Sequence, residues 1–256
     1  MLIAIDVGNT QMVMGLFGDE ERVDSWRLST VPERTADEYR LFLAGLLRQD
    51  GHRLEDIDGV ALSSVVPMAK QAMIEVARDL SDGPLVVVGP GVRTGLPINI
   101  DNPREVGADR VVNSVAAASK YGTPVVVVDF GTATNMDVVD ASGAYIGGVI
   151  APGLEVSQSA LIDATAALRR VDLVPPRAPI GKSTVEAIQA GLLFGHAGLV
   201  DGILDRIMSE MDGAPAIVAT GGLASTIVPH CRMVDRVDDT LTLDGLRIIY
   251  DMNIEE

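Results

Sequence analysis

Cys231 is the only cysteine in the chain. An intrachain disulfide and a cysteine-built zinc site are therefore excluded. Aromatic residues make up only 4%, so the core must be built mainly from Val, Leu, Ile and Ala. Basic residues are outnumbered: 20 Lys and Arg stand against 36 Asp and Glu, a net charge of -16. That field repels nucleic acid and anionic membrane surfaces, so neither is expected as a partner. An anionic ligand needs local help from backbone amides, a few basic side chains or cations. Long apolar runs are missing too. Val125–Val128 is typical, far below the ~20 residues that span a bilayer. Met1–Ile5 is apolar but is cut short by Asp6, with no basic residue before it, so no signal peptide is expected. The expectation is a soluble cytoplasmic protein. No Walker A motif and no protein-kinase signature set occurs. His52, His196 and His230 lack metal-ligand spacing and read as structural or surface residues, and Cys231 as a packed thiol.

What is present is a globular composition. Of 256 residues, 47% are hydrophobic and 22% charged, which excludes disorder as the dominant state. The mean hydropathy of +0.27 is high for a soluble chain and is consistent with an apolar subunit interface.

Apolar runs and turn residues predict strands over 2–7, 12–17, 23–28, 58–66 and 85–88, with a turn at Gly18-Asp19. Thr35-Ala36-Asp37-Glu38 fits a capping box ahead of apolar residues at helical spacing. Pro67 opens a second predicted helix, and residues 104–121 form a third, closed by Gly122. Gly89–Pro103 reads as a loop. The pattern then restarts, with strands over 124–128, 136–139, 145–150 and 214–220. Helices are predicted over 153–168, 183–211 and 241–251. The acid-rich segment Asp235–Asp239 reads as a solvated face.

The restart is the main organisational signal. A strand leads into Asp6-Val7-Gly8-Asn9-Thr10, and a strand leads into Asp129-Phe130-Gly131-Thr132-Ala133-Thr134, about half a chain later. Both lead into a hairpin and then a helix. Two similar α/β halves, 1–118 and 119–256, with a ligand cleft between them would produce this.

In the first motif, Gly8 allows a tight turn, and the loop amides can form an anion nest. Asp6 ends a strand, where α/β proteins bind ligands. A carboxylate beside a phosphate makes sense only with a metal ion between them. The bare motif is also compatible with an Asx turn. In the second, Thr132 and Thr134 are candidates for terminal phosphates, and Asp129 for a cation. Thr220-Gly221-Gly222 permits close approach of a flat group, or is a plain strand-to-helix turn.

Gly107-Ala108-Asp109-Arg110 sets a carboxylate beside a guanidinium near a helix start. Asp109 suits a proton acceptor, and Arg110 suits forked pairing with a substrate carboxylate. A helix-surface ion pair is the plainer alternative.

Taken together, these motifs resemble the type III pantothenate kinases, members of the acetate and sugar kinase/Hsp70/actin superfamily. The resemblance spans essentially the whole chain. It is carried by the two aspartate motifs, Thr220-Gly221-Gly222, Gly147–Gly153 and, most specifically, the segment Asp101–Arg110. It implies two similar ribonuclease H-like (actin-like ATPase) halves flanking a nucleotide cleft. It implies ATP-dependent phosphorylation of pantothenate to 4'-phosphopantothenate, the first step of coenzyme A biosynthesis. Asp6, Val7, Gly8, Asn9, Thr10, Gln11, Met12 and Val13 would line the ATP site, with Asp6 near Mg²⁺. Thr132 would contact phosphates, and Asp129 would ligate a monovalent cation, K⁺ or NH₄⁺. Gly107, Ala108, Asp109, Arg110 and Thr184 would hold pantothenate, with Asp109 as the base. A homodimer is implied as well. Ile100 stands where many members carry tyrosine. Two other readings share the fold: a non-catalytic accessory factor of transcriptional regulation, and an actin- or chaperone-like ATPase.

Overall fold

The structure is a computed structural model and describes residues 1–18 and 21–254. The first half runs β1 (Leu2–Val7), β2 (Gln11–Gly18), β3 (Glu21–Ser29), α1 (Ala36–Gln49), β4 (Gly59–Ser64), α2 (Pro67–Leu80) and β5 (Leu85–Val87). Its five strands form one sheet in the order β3-β2-β1-β4-β5. β1 pairs antiparallel with β2 and parallel with β4. The predicted turn at Gly18-Asp19 falls partly outside the described residues.

α3 (Ala108–Tyr121) follows. Then come β6 (Val125–Phe130), β7 (Ala133–Val139), β8 (Tyr145–Pro152), α4 (Leu154–Asp163), α5 (Thr184–Glu210), β9 (Ala216–Thr220), α6 (Ala224–Ile227), β10 (Arg236–Val237) and α7 (Leu241–Ile254). The second sheet has the order β8-β7-β6-β9-β10. It repeats the first sheet strand for strand, including the antiparallel hairpin and the parallel neighbour of its central strand. The duplicated α/β architecture expected from the two aspartate motifs is therefore present.

The chain divides into two compact units. The first holds Met1–Pro97, Asp101–Ala116 and the C-terminal segment from Thr240. The second holds Ile98–Ile100 and Ala117–Asp239. A linear split at 118/119 would leave α7 with the second half. Instead α7 packs on β1 and β4, where Leu243, Leu246, Ile249 and Tyr250 are buried.

Strand alternation decides what each sheet face carries. In the first unit, Ile3, Ile5 and Val7 join a core with Tyr39, Leu43 and Leu47 of α1 and Met73, Val76 and Leu80 of α2. Each such side chain contributes roughly 1.5–3 kcal/mol on burial. Asp6 lies out of that phase. In the second unit, Val126, Val128 and Phe130 pack with Leu193, Val200 and Leu204 of α5, and Asp129 is again out of phase.

The Thr35–Glu38 capping box forms as expected. Several boundaries differ from expectation. The helix predicted over 104–121 starts at Ala108, because Pro103–Glu105 makes a separate 3₁₀ turn. The helix expected over 153–168 stops at Asp163. Asp235–Asp239 is not simply a solvated face. β10 pairs parallel with β9, and Asp238 is buried, accepting from the Tyr121 hydroxyl at 2.6 Å and pairing with Lys120 at 2.5 Å. A lone two-residue strand lies below what hydrophobic periodicity can reveal.

Among the described residues, α5 is the one helix long and apolar enough to cross a membrane by length and composition; half of that apolar stretch is buried within the protein. Its inner face packs on the second sheet and carries the hydrogen-bonded polar residues Gln189, His196 and Asp201. This is the pattern of a core helix.

Candidate active site

In the first unit, Asp6 sits on β1 directly across from Ser63 of β4. The Ser63 hydroxyl is fully buried and donates to Asp6 Oδ1. The Asx-turn alternative does not describe Asp6, since this bond goes to the neighbouring strand. Burial, followed by the negative charge of Asp109, pushes the Asp6 carboxyl up to about 7, against the lowering effect of the Ser63 bond.

Asp109 occupies the first turn of α3. Its carboxylate folds back to accept the Arg110 amide at 2.8 Å. That fold needs Gly107. A Cβ there would lie 2.5 Å from Asp109 Oδ1, closer than any real contact. Burial raises the Asp109 carboxyl above the usual range, opposed by the Arg110 amide and the Arg110 charge. Asp6, Gly107, Asp109 and Arg110 thus belong to the same unit, and the two carboxylates feel each other.

The remaining first-motif residues divide by exposure. Asn9, Thr10 and Gln11 are exposed at the β1–β2 turn, and Gly8 N–H donates to the Gln11 carbonyl at 3.1 Å. Thr30 ties that turn to the end of β3, donating through Oγ1 to Gly8 O at 2.8 Å. Val7 and Met12 are fully buried on the α1 and α2 face, so they offer a ligand only backbone.

In the second unit, Asp129 and Thr220 are cross-strand neighbours, the same relation as Asp6 and Ser63. Gly221 follows with φ of +93°, and a Cβ there would meet the Phe130 backbone nitrogen at 2.7 Å and overlap Asp129 Oδ1. Only glycine lets β9 end so close to that carboxylate. Thr132 is exposed in the β6–β7 turn. Thr134 is not: it is 1% exposed and hydrogen-bonds His196 at 2.8 Å. It faces the core instead of standing free for a phosphate. Thr184 is exposed in the first turn of α5, beside the capping Ser183.

Comparison with known proteins settles the family. The family model for type III pantothenate kinase matches residues 2–206. The chain belongs to the type III pantothenate kinase family. It is 50% identical to the type III pantothenate kinase of Acidothermus cellulolyticus over 257 residues, covering 100% of both chains. It is 51% identical to that of Frankia alni over 255 residues, covering 99% of this chain and 100% of the relative. Among solved structures, the activator of the 2-hydroxyisocaproyl-CoA dehydratase from Clostridium difficile, with bound ADPNP, matches with a TM-score of 0.58 at 14% identity. That match covers 98% of this chain and 94% of the other, and at this identity it speaks for the fold alone.

Ile100 is half-buried and lies near Gly147 of β8. Its segment adds to the sheet edge: Ile98 bridges to Tyr145, and Asn99 N–H donates to the Tyr145 carbonyl at 2.8 Å. The family implies a divalent cation, and the first unit's donor set suits Mg²⁺. Asp6 is a hard oxygen donor, and the Ser63 hydroxyl that donates to it favours its charged form. No group of three or more His, Cys, Asp or Glu positioned for a metal occurs among the described residues. Mg²⁺ is commonly held by one or two carboxylates, with phosphates supplying further ligands.

Two positions carry site geometry that sequence reasoning passed over. Ser63 was legible as a hydroxyl near the end of an otherwise apolar strand. His196 gave no signal, because its partner Thr134 is distant in the chain and its helix face could not be read alone.

Proposed function

We propose that this protein transfers the γ-phosphoryl group of ATP to the primary hydroxyl of pantothenate, giving 4'-phosphopantothenate and ADP. The observation that carries the reading is the half-buried Asp109 whose charge acts on Asp6, in a chain of this family. In this reading Asp109 accepts the hydroxyl proton as the oxygen attacks the γ-phosphorus and the bond to ADP breaks. Burial raises the Asp109 carboxyl above its ordinary value, and the higher proton affinity suits a general base. Phosphoryl transfer needs little more than positioning and charge neutralisation, because its transition state is loose. Mg²⁺, when bound beside Asp6, supplies that neutralisation at the phosphates.

Arg110 pairs with the pantothenate carboxylate, and Gly107, Ala108 and Thr184 complete the substrate contacts. The turn from Gly8 to Gln11, with Val7, Met12 and Val13 beside it, receives ATP, and Thr132 contacts its phosphates. Asp129 holds a monovalent cation, K⁺ or NH₄⁺, which offsets the strongly negative charge of the chain. Two copies associate. The exposed apolar residues Ile146 and Ile150 of β8, Val156 and Leu161 of α4 and Val185 of α5 support a dimer through the second unit. The reaction runs in the cytoplasm.

A coupled ADP-release assay tests the reading, with pantothenate present and absent and with K⁺ present and absent. ADP formation that requires pantothenate and rises with K⁺ is the expected result. ATP binding without pantothenate-dependent ADP would favour the accessory-factor role instead.

A further inference from the structure

A buried hydroxyl–imidazole pair lies behind the β6–β7 turn. Thr134 Oγ1 and His196 Nε2 are 2.8 Å apart, and both residues are buried. The Phe130 ring lies 6.2 Å from the imidazole, tilted by 54°. Phe130 and Thr134 are cross-strand partners at the mouth of the turn, so α5 grips both strands where the hairpin opens. Asp129 immediately precedes Phe130, and Thr132 is the turn itself. The turn's backbone is held as well, by Gly131 N–H to Ala133 O at 3.0 Å and Gly153 N–H to Thr132 O at 3.2 Å.

An apolar residue would fill the same position on α5 without the cost of burying an imidazole. Burial holds His196 below the ordinary histidine range and so keeps it neutral. What the polar pair adds over apolar packing is direction. A hydrogen bond in a low-dielectric interior fixes one arrangement, where hydrophobic contact tolerates several.

We propose that His196 is a positioning residue: its bond to Thr134 fixes the turn that carries Asp129 and Thr132, and thereby sets the affinity for nucleotide and monovalent cation. This rests on the roles proposed above for Asp129 and Thr132. His196 itself touches no reactant.

The test uses the full chain with Thr134→Val, Thr134→Ser, His196→Gln and the double variant Thr134→Val/His196→Gln. Steady-state kinetics give KM for ATP, KM for pantothenate and the half-saturating K⁺. Calorimetry with a non-hydrolysable ATP analogue gives affinity without turnover, and thermal melts give stability. Thr134→Val is expected to raise KM for ATP and the K⁺ requirement about tenfold, with pantothenate KM within twofold of the parent. Thr134→Ser restores both, and the double variant is no worse than Thr134→Val alone. Variants that melt earlier but keep ATP-analogue affinity and K⁺ response within twofold overturn the proposal. Should Thr134→Val fail to fold, His196→Gln decides: a rise in KM for ATP of threefold or more supports the proposal, and an unchanged value overturns it. A parent protein inert toward pantothenate would defeat the functional reading but leave the analogue-binding comparison intact.

Discussion

Asp6 and Ser63 face each other across the parallel β1–β4 pair, and the buried serine hydroxyl donates to the aspartate. The bond supports the charged form of a carboxyl that burial and Asp109 both disfavour. A hydrogen bond to a charged group contributes about 1.5–3 kcal/mol. Ser63→Ala is therefore expected to raise the Mg²⁺ concentration needed for half-maximal activity on the order of tenfold, while pantothenate KM stays near the parent value. A magnesium titration at fixed ATP checks this, and an unchanged curve would leave Ser63 as packing only.

The raised Asp6 carboxyl predicts a pH effect in protein free of metal and nucleotide. Its ordinary value is 3.8 and its folded value is about 7. Between those values the folded state keeps a proton that the unfolded state has lost, so stability falls as pH rises through this window. The ceiling is roughly 4 kcal/mol, reduced by whatever solvent reaches the half-buried side chain. Asp6→Asn is neutral throughout and should melt higher than the parent at pH 8 by several degrees, with the gap closing near pH 4. Parallel melting curves over pH 4–8 decide it. A gap independent of pH would mean that Asp6 ionises normally.

Asp109→Asn keeps the size of the side chain and removes its proton affinity. A kcat loss of about 10²–10⁴-fold is expected, the usual worth of a positioned general base, with ATP binding near normal. The low end is expected if the proton leaves late in a loose transition state. Retention of kcat within about threefold, only ~0.65 kcal/mol, would rule out the base assignment.

Arg110→Ala should act on KM instead. A carboxylate contact remote from the transferred phosphoryl is mostly uniform binding, so KM for pantothenate rises while kcat changes little. Steady-state kinetics on this variant beside Asp109→Asn separate the two roles, and a fall in kcat at unchanged KM would place Arg110 in the chemical step.

Gly221→Ala tests the second unit. A Cβ at φ of +93° would overlap Asp129 Oδ1 and the Phe130 backbone, and the left-handed conformation alone costs about 1–2 kcal/mol. The variant should melt lower and lose most of its response to K⁺, the loss also expected of Asp129→Asn, which weakens the proposed cation ligand. A folded Gly221→Ala protein with a normal potassium titration would show that the ion binds elsewhere.

The sequence by itself determined the elements and the repeat. Strand runs such as Leu2–Val7 and Val125–Phe130 are local signals, as are the Thr35 capping box and the glycine after α3. Asp6, Asp129 and Gly107–Arg110 stood out as candidates because each combines a strand or helix end with a turn residue and a charge in one short stretch. Only the tertiary structure decided which polar groups meet. Ser63 reaches Asp6 through parallel register, and His196 reaches Thr134 through the packing of α5 on β7. The same holds for α7, which joins the first unit by packing on β1 and β4, though it closes the second half of the sequence. The physical reason is the same each time. Hydrophobic period and turn chemistry act over a few residues, whereas register and packing join residues far apart in the chain.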